Sequence, residues 1–117
     1  MWKNALELGN NIVLSTSSKD GSPHAIVVTS KGFIDDKLLI NACQMDTTLR
    51  NIKENNKVCI VANYNNRYFR IKGTASIYSS GKYFDIAKAR NKPPPVKHAV
   101  IIEIKEVFDL DKAKRLL

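Results

Sequence analysis

The chain has 117 residues, 44% of them hydrophobic and 26% charged: enough for one packed core, and too apolar for disorder. No apolar run approaches the roughly 18–20 residues that span a bilayer, and the opening MWKNALELGN carries an acidic residue and no long apolar stretch, so a signal peptide is not expected. Two cysteines, Cys43 and Cys59, do not make a disulfide framework, which sets a cytoplasmic expectation, and a net charge of +8 favours anionic partners.

In chain order, Trp2, Ala5 and Leu6 have the spacing of a short amphipathic helix over residues 2–8, with Gly9 as its stop. Ile12 to Thr16 is a β-rich run, and Asp20-Gly21 with Pro23 makes the turn that follows. His24 to Thr29 is the next strand, and its unbroken apolar run Ala25–Val28 predicts burial on both faces. Phe33-Ile34 and Leu38–Ala42 flank a hairpin turn at Asp35-Asp36-Lys37.

A helix begins near Asp46 or Thr47, both good N-caps, and ends at Asn55-Asn56, with Leu49 and Ile52 on its apolar face. Lys57–Tyr64 is a strand with Val58, Ile60 and Ala62 on one side. After a turn at Asn65-Asn66, Arg67–Tyr78 alternates, setting Phe69, Ile71, Gly73, Ala75 and Ile77 against Tyr68, Arg70, Lys72, Thr74 and Ser76. Ser79 or Ser80 caps a helix to Arg90 with Phe84 and Ala87 inward, and Pro93-Pro94-Pro95 ends it. His98–Val107 is the last strand, and the tail FDLDKAKRLL has helical composition. About six antiparallel strands with short turns in so short a chain close most readily into a small barrel. The expected fold is therefore a mainly β, six-stranded antiparallel barrel of Greek-key type with short peripheral helices, as one domain over residues 1–117.

The stretch from His24 to Ile52 carries the chemistry. A strand that empties into a polar loop and then a helix N-terminus is a place to hold an anion, because free N–H groups and the helix dipole point there. Thr47, Thr48 and Arg50 lie in that opening turn. Charge agrees with this: residues 1–42 carry four basic and four acidic groups, whereas residues 43–80 carry six basic and two acidic ones. The competing reading of Thr47 and Thr48 is that they only cap the helix, and that Arg50 and many lysines are merely solvated. His24 and His98 have no Ser, Cys or Asp at a spacing that suggests a triad. The two cysteines lack the paired histidines of a zinc site, so no metal is expected. Tyr64, Tyr68 and Phe69, interleaved with Arg67 and Arg70, also suit an OB-type barrel stacking single-stranded nucleic acid.

The order of DGSPHAIVV, the D-D turn, the polar loop and L-x-x-I helix, NNKVCI and FRIKGTA resembles the FMN-binding split-barrel flavoproteins, the pyridoxamine 5′-phosphate oxidase-like family, over about Ile12 to Leu110. The resemblance implies a split barrel that dimerises, with FMN in clefts at the subunit interface, and an oxidoreductase or electron carrier whose flavin does the redox chemistry. It implies that Val27, Val28, Thr29 and Ser30 flank the ring, that Asn41, Ala42, Cys43, Gln44 and Met45 follow the ribityl chain and pyrimidine edge, that Thr47, Thr48 and Arg50 hold the phosphate, and that Pro93 to Lys97 border the cleft. Many relatives place a lysine near Thr47 or Thr48; here the compensating cation is Arg50 itself, or Lys31, Arg67 or Arg70 from another strand or the partner subunit. The substrate arginine and histidine pair of the vitamin B6 oxidases is not identifiable. Related possibilities are the same barrel holding F420 or haem, and a barrel acting only through its dimer surface. A nucleic-acid partner becomes unlikely, because the family places Phe69 in the core.

Overall fold

Two turns of the same kind set two of the hairpins. Asp35-Asp36 and Asn65-Asn66 both have φ of 52° and 62°, the left-handed pair that joins twisted antiparallel strands and that Asp and Asn tolerate best. The computed structural model describes residues 1–42, 45–91 and 95–117. After a short 3-10 turn at Trp2–Leu6 come β1 (Asn11–Ser17), β2 (Pro23–Ile34), β3 (Lys37–Ala42), α1 (Asp46–Glu54), β4 (Lys57–Tyr64), β5 (Arg67–Tyr78), α2 (Lys82–Arg90), β6 (His98–Asp109) and β7 (Lys114–Arg115).

The sheet runs β3-β2-β1-β4-β5-β6-β7, all neighbours antiparallel, and a β3–β6 pairing closes the first six strands into a barrel. β4 returns beside β1 after the β1-β2-β3 meander, which is the Greek key, and α1 spans that return. The barrel interior holds Leu6, Ile12, Leu14, Leu38, Ile40, Ile60, Phe69, Ile71, Val100, Ile102 and Val107. The alternation read in β5 holds: Phe69, Ile71, Gly73 and Ala75 are buried, and Tyr68, Lys72 and Ser76 are exposed. A second, smaller core lies outside the barrel, where Ala87 of α2, with Val96, covers Ile34, Leu39, Ala99 and Ile101.

Several expectations need correction. The strand buried on both faces is not Ala25–Val28, where Ala25 is exposed and Val27 is 69% exposed; it is β3, together with the start of β6, because α2 lies over those two. An apolar run records that both faces lack charge, and only the packing tells which runs receive a cover. The tail forms no helix: β6 continues to Asp109, then turns into β7. The first helix is a 3-10 turn. The N-caps are Met45 and Gly81, neither with a side-chain capping bond. Ser79 instead shares a hydrogen bond with His98 Nδ1 at 2.8 Å.

One buried polar contact ties α1 to the barrel and a second ties β5 to β6. Asn51 of α1 donates to Thr16 Oγ1 of β1 at 3.1 Å, both side chains buried. Asp109 is 1% exposed and pairs with Arg67. Burial pushes its pKa up, but the N–H of Lys112, the Arg67 guanidinium and the N–H of Asp111 together outweigh that and hold it below the ordinary carboxylate value.

A Cβ at Gly73 would stand 2.3 Å from the Glu103 carbonyl oxygen, a backbone atom that cannot move aside, so Gly73→Ala should destabilise the barrel by at least ~2 kcal/mol, read from urea unfolding. A carboxylate with a depressed folded pKa adds stability above its unfolded pKa and loses it as pH falls through the folded one. Urea midpoints measured from pH 7 down to pH 3 should therefore fall. Asp109→Asn should begin lower at pH 7 and fall less steeply, the remaining slope belonging to Asp20, Asp35 and Glu103, which are also depressed.

Candidate functional site

β2 has twelve residues and β3 six, so β3 cannot serve the whole of β2. Their pairing runs from Ile34↔Lys37 to Ser30↔Ile40 and stops. Beyond that point β3 continues against β6, with Asn41↔Ala99 and Ala42↔His98. β2 continues only against β1, from Thr29↔Asn11 to Pro23↔Ser17. The two strands part, and a cavity of about 600 Å³ lies between them.

Val27, Val28, Thr29 and Lys31 form its β2 wall, with Asn11 from β1; Asn41 forms the β3 wall; Met45, Asn91, Pro95 and Lys97 complete it. The segment after α2 is held against β3 by the Lys97 N–H, which donates to the Ala42 carbonyl at 3.2 Å. Asn41 is 8% exposed and donates through Nδ2 to the Ala87 carbonyl at 3.2 Å. Its Oδ1 is buried with no partner among the described residues. Thr29 donates to Asn11 Oδ1 at 3.0 Å.

Of the residues singled out from sequence, Val27, Val28, Thr29, Asn41 and Met45 thus line one cavity. Ser30 is fully buried and faces inward, donating to the Leu6 carbonyl at 2.6 Å and accepting the Gly32 N–H at 3.1 Å. Ala42 is buried beside Asn41 and does not line the cavity. Cys43, Gln44, Pro93 and Pro94 lie outside the described residues. Thr47 and Thr48 stand in the first turn of α1, next to Met45, and are not on the lining; Arg50 is exposed. Thr48 is 1% exposed and its Oγ1 has no partner among the described residues. The first backbone bond of α1 among the described residues is Leu49 N–H to the Met45 carbonyl, and the amides of Asp46, Thr47 and Thr48 have no helical partner among those residues. The Asp46 carboxylate shares that positive end.

Among the cations named as compensation, Lys31 reaches the cavity. Arg67 is taken by Asp109, and Arg70 lies 4.8 Å over the Phe108 ring. The aromatic platform is dispersed as well, with Phe69 inside the barrel and Tyr68 half exposed. Asn11 and Asn91 were missed. Asn11 reaches the site only because register sets it opposite Thr29, which no local motif encodes. Burial raises the Cys59 thiol pKa, and Lys72 and Arg70 offset part of that, so it is not an activated thiolate. Among the described residues no three His, Cys, Asp or Glu side chains converge as a metal site, and no helix is long and apolar enough to cross a membrane.

Residues 2–111 match the family described as pyridoxamine 5′-phosphate oxidase. An uncharacterized protein of Methanocaldococcus jannaschii is 38% identical over 112 residues, covering 88% of this chain and 75% of that one. Among solved structures, a variant of HupZ from Group A Streptococcus superposes with a TM-score of 0.81 at 24% identity, covering 92% of this chain and 95% of that one. An FMN-binding protein from Syntrophomonas wolfei superposes with a TM-score of 0.75 at 22% identity, covering 92% and 80%. At these identities the two structures share the fold.

Asn41→Ala removes the side-chain bond from the β3 wall to α2. The expected result is faster amide exchange in the last turn of α2, with a stability loss of about 1 kcal/mol, measured by hydrogen exchange and urea unfolding.

Proposed function

Because the chain belongs to the pyridoxamine 5′-phosphate oxidase family, we propose that the cavity between β2 and β3 holds flavin mononucleotide and that the protein is a small FMN-dependent oxidoreductase or electron carrier. The observation that carries this reading is an orphaned buried polar atom on the cavity wall. Asn41 Oδ1 has no partner among the described residues, and leaving such a group dry and unpaired costs about 1–3 kcal/mol. A ligand that offers an N–H to the amide oxygen relieves that cost.

The residues present fit that group. Asn41 accepts from a ring N–H. Val27 and Val28 offer apolar surface to a planar ring and keep water from it. Lys31 and Lys97 suit a dianion, and they answer the absence of a lysine at Thr47 or Thr48: the charge comes from β2 and from the segment before β6. Bound flavin supplies the electron transfer; the chain binds, orients and screens it. The FMN-binding protein of the same fold supports the choice of cofactor.

The reading extends to a homodimer. Ala25 and Val27 leave an apolar strip on the outer face of β2 beside the cavity, and a second copy over it would bury that strip and close the cleft from outside. The decisive experiment is an absorption spectrum after adding excess FMN and desalting, with light scattering on the same sample. Retained flavin bands at one FMN per chain in a dimeric peak are expected. Lys31→Ala and Lys97→Ala should each weaken binding about 10- to 100-fold, the worth of a hydrogen bond to a charged group. A protein that retains no FMN, or retains F420 or haem instead, overturns the FMN reading.

A further inference from the structure

We infer that Arg90, at the C-terminal end of α2, is a positioning residue that sets the place of Lys31 in the cavity. The inference rests on the cavity holding an anionic cofactor, and adds a residue that does not line it.

Between Ser30↔Ile40 and Phe33↔Leu38 the register shifts, and Lys31 with Gly32 stands opposite Leu39 alone. This is a β-bulge, a device that bends a strand and re-aims a side chain. It falls where β2 and β3 part, and the re-aimed side chain is Lys31, on the cavity lining. Gly32 has φ +83°, and a Cβ there would meet Arg90 Nη1 at 3.3 Å and Leu8 Cβ at 3.5 Å. The bulge thus demands glycine on two counts, the backbone conformation and the closeness of the guanidinium.

Arg90 Nη1 donates to the Lys31 carbonyl at 2.8 Å and to the Phe33 carbonyl at 3.3 Å, the two carbonyls flanking Gly32. From the inside Ser30 Oγ accepts the Gly32 N–H, and the Ser30 carbonyl accepts the Gly9 N–H at 2.8 Å. The bulge is therefore gripped from both sides, and Arg90 supplies the outer grip. Three residues earlier on the same helix, the Ala87 carbonyl accepts from Asn41 on the opposite wall. One turn of α2 is tied to both strands at the point where they separate, so the helix acts as a strut across the split. A guanidinium suits the task because its terminal nitrogen Nη1 carries two N–H bonds, one for each carbonyl, while the group remains charged.

If Arg90 acts through Lys31, the two residues are coupled, and a double-mutant cycle reads that coupling. Arg90→Ala should weaken FMN binding about tenfold and Lys31→Ala about as much, and the double variant should be no weaker than Lys31→Ala alone. Arg90→Lys, which keeps the charge and donors without the rigid planar group, should recover part of the loss. The salt dependence of FMN binding should flatten equally in Arg90→Ala and Lys31→Ala, which a loss of general stability would not produce. A double variant that loses the product of the two single losses, or wild-type affinity in Arg90→Ala, overturns the inference. Should the wild-type protein bind no FMN, the cofactor reading fails separately. The bulge is then read by amide exchange at Gly32 and Phe33: about tenfold faster exchange in Arg90→Ala sustains the positioning role, and unchanged exchange overturns it.

Discussion

The architecture depends on a mismatch of strand lengths. A backbone edge must be paired, covered or solvated, and a six-residue β3, whose other edge closes the barrel on β6, is too short to pair the whole of a twelve-residue β2. β3 keeps β6 along most of its length and gives up β2 after Ser30, where the bulge at Lys31-Gly32 turns the two strands apart. The barrel closes, and the same choice leaves β2 with an unshared edge from Thr29 to Pro23. The cavity is the space that this choice creates. Its two walls are bound into one barrel elsewhere, so the opening is held at a defined width without a dedicated loop.

Two cores divide the remaining work. The barrel interior is built from apolar residues of β1 and β3–β6, with Leu6 from the first turn of the chain. The outer core, under α2, is small, yet it fixes the one helix whose last turn touches both walls of the split. A modest apolar patch can therefore govern the site at a distance from the main core, because a helix transmits position rigidly over its length.

The electrostatics follow the same geometry. Excess positive charge begins after residue 42 in the sequence, but the cations on the cavity are Lys31 and Lys97, one before that boundary and one well after it. Arg67 and Arg70, which look available in a linear reading, are engaged by Asp109 and the Phe108 ring. Arg50, which sits in the loop motif, points to solvent on the exposed side of α1. At the helix end the Asp46 carboxylate shares the positive field of the first turn.

Much was legible locally. The turns at Asp35-Asp36 and Asn65-Asn66, the alternation of Arg67–Tyr78, the limits of β4 and the helix over 46–54 each follow from dihedral preference or from a period of two or 3.6, which act within a few residues. Val27, Val28, Thr29, Asn41 and Met45 could be named together because a family pattern places them on one strand, one strand end and one loop. Whether Ala25–Val28 is covered, that Ser30 turns inward to Leu6, that Asn11 stands beside Thr29, and that Arg90 grips the bulge depend on register and on which layer lies above which strand. Those are long-range facts, decided by packing the whole chain at once. The sequence by itself determined most of the elements, the barrel class and the strand that borders the cavity; only the tertiary structure decided where that barrel splits and which charges face the opening, because a strand carries no record of which of its edges will be left without a partner.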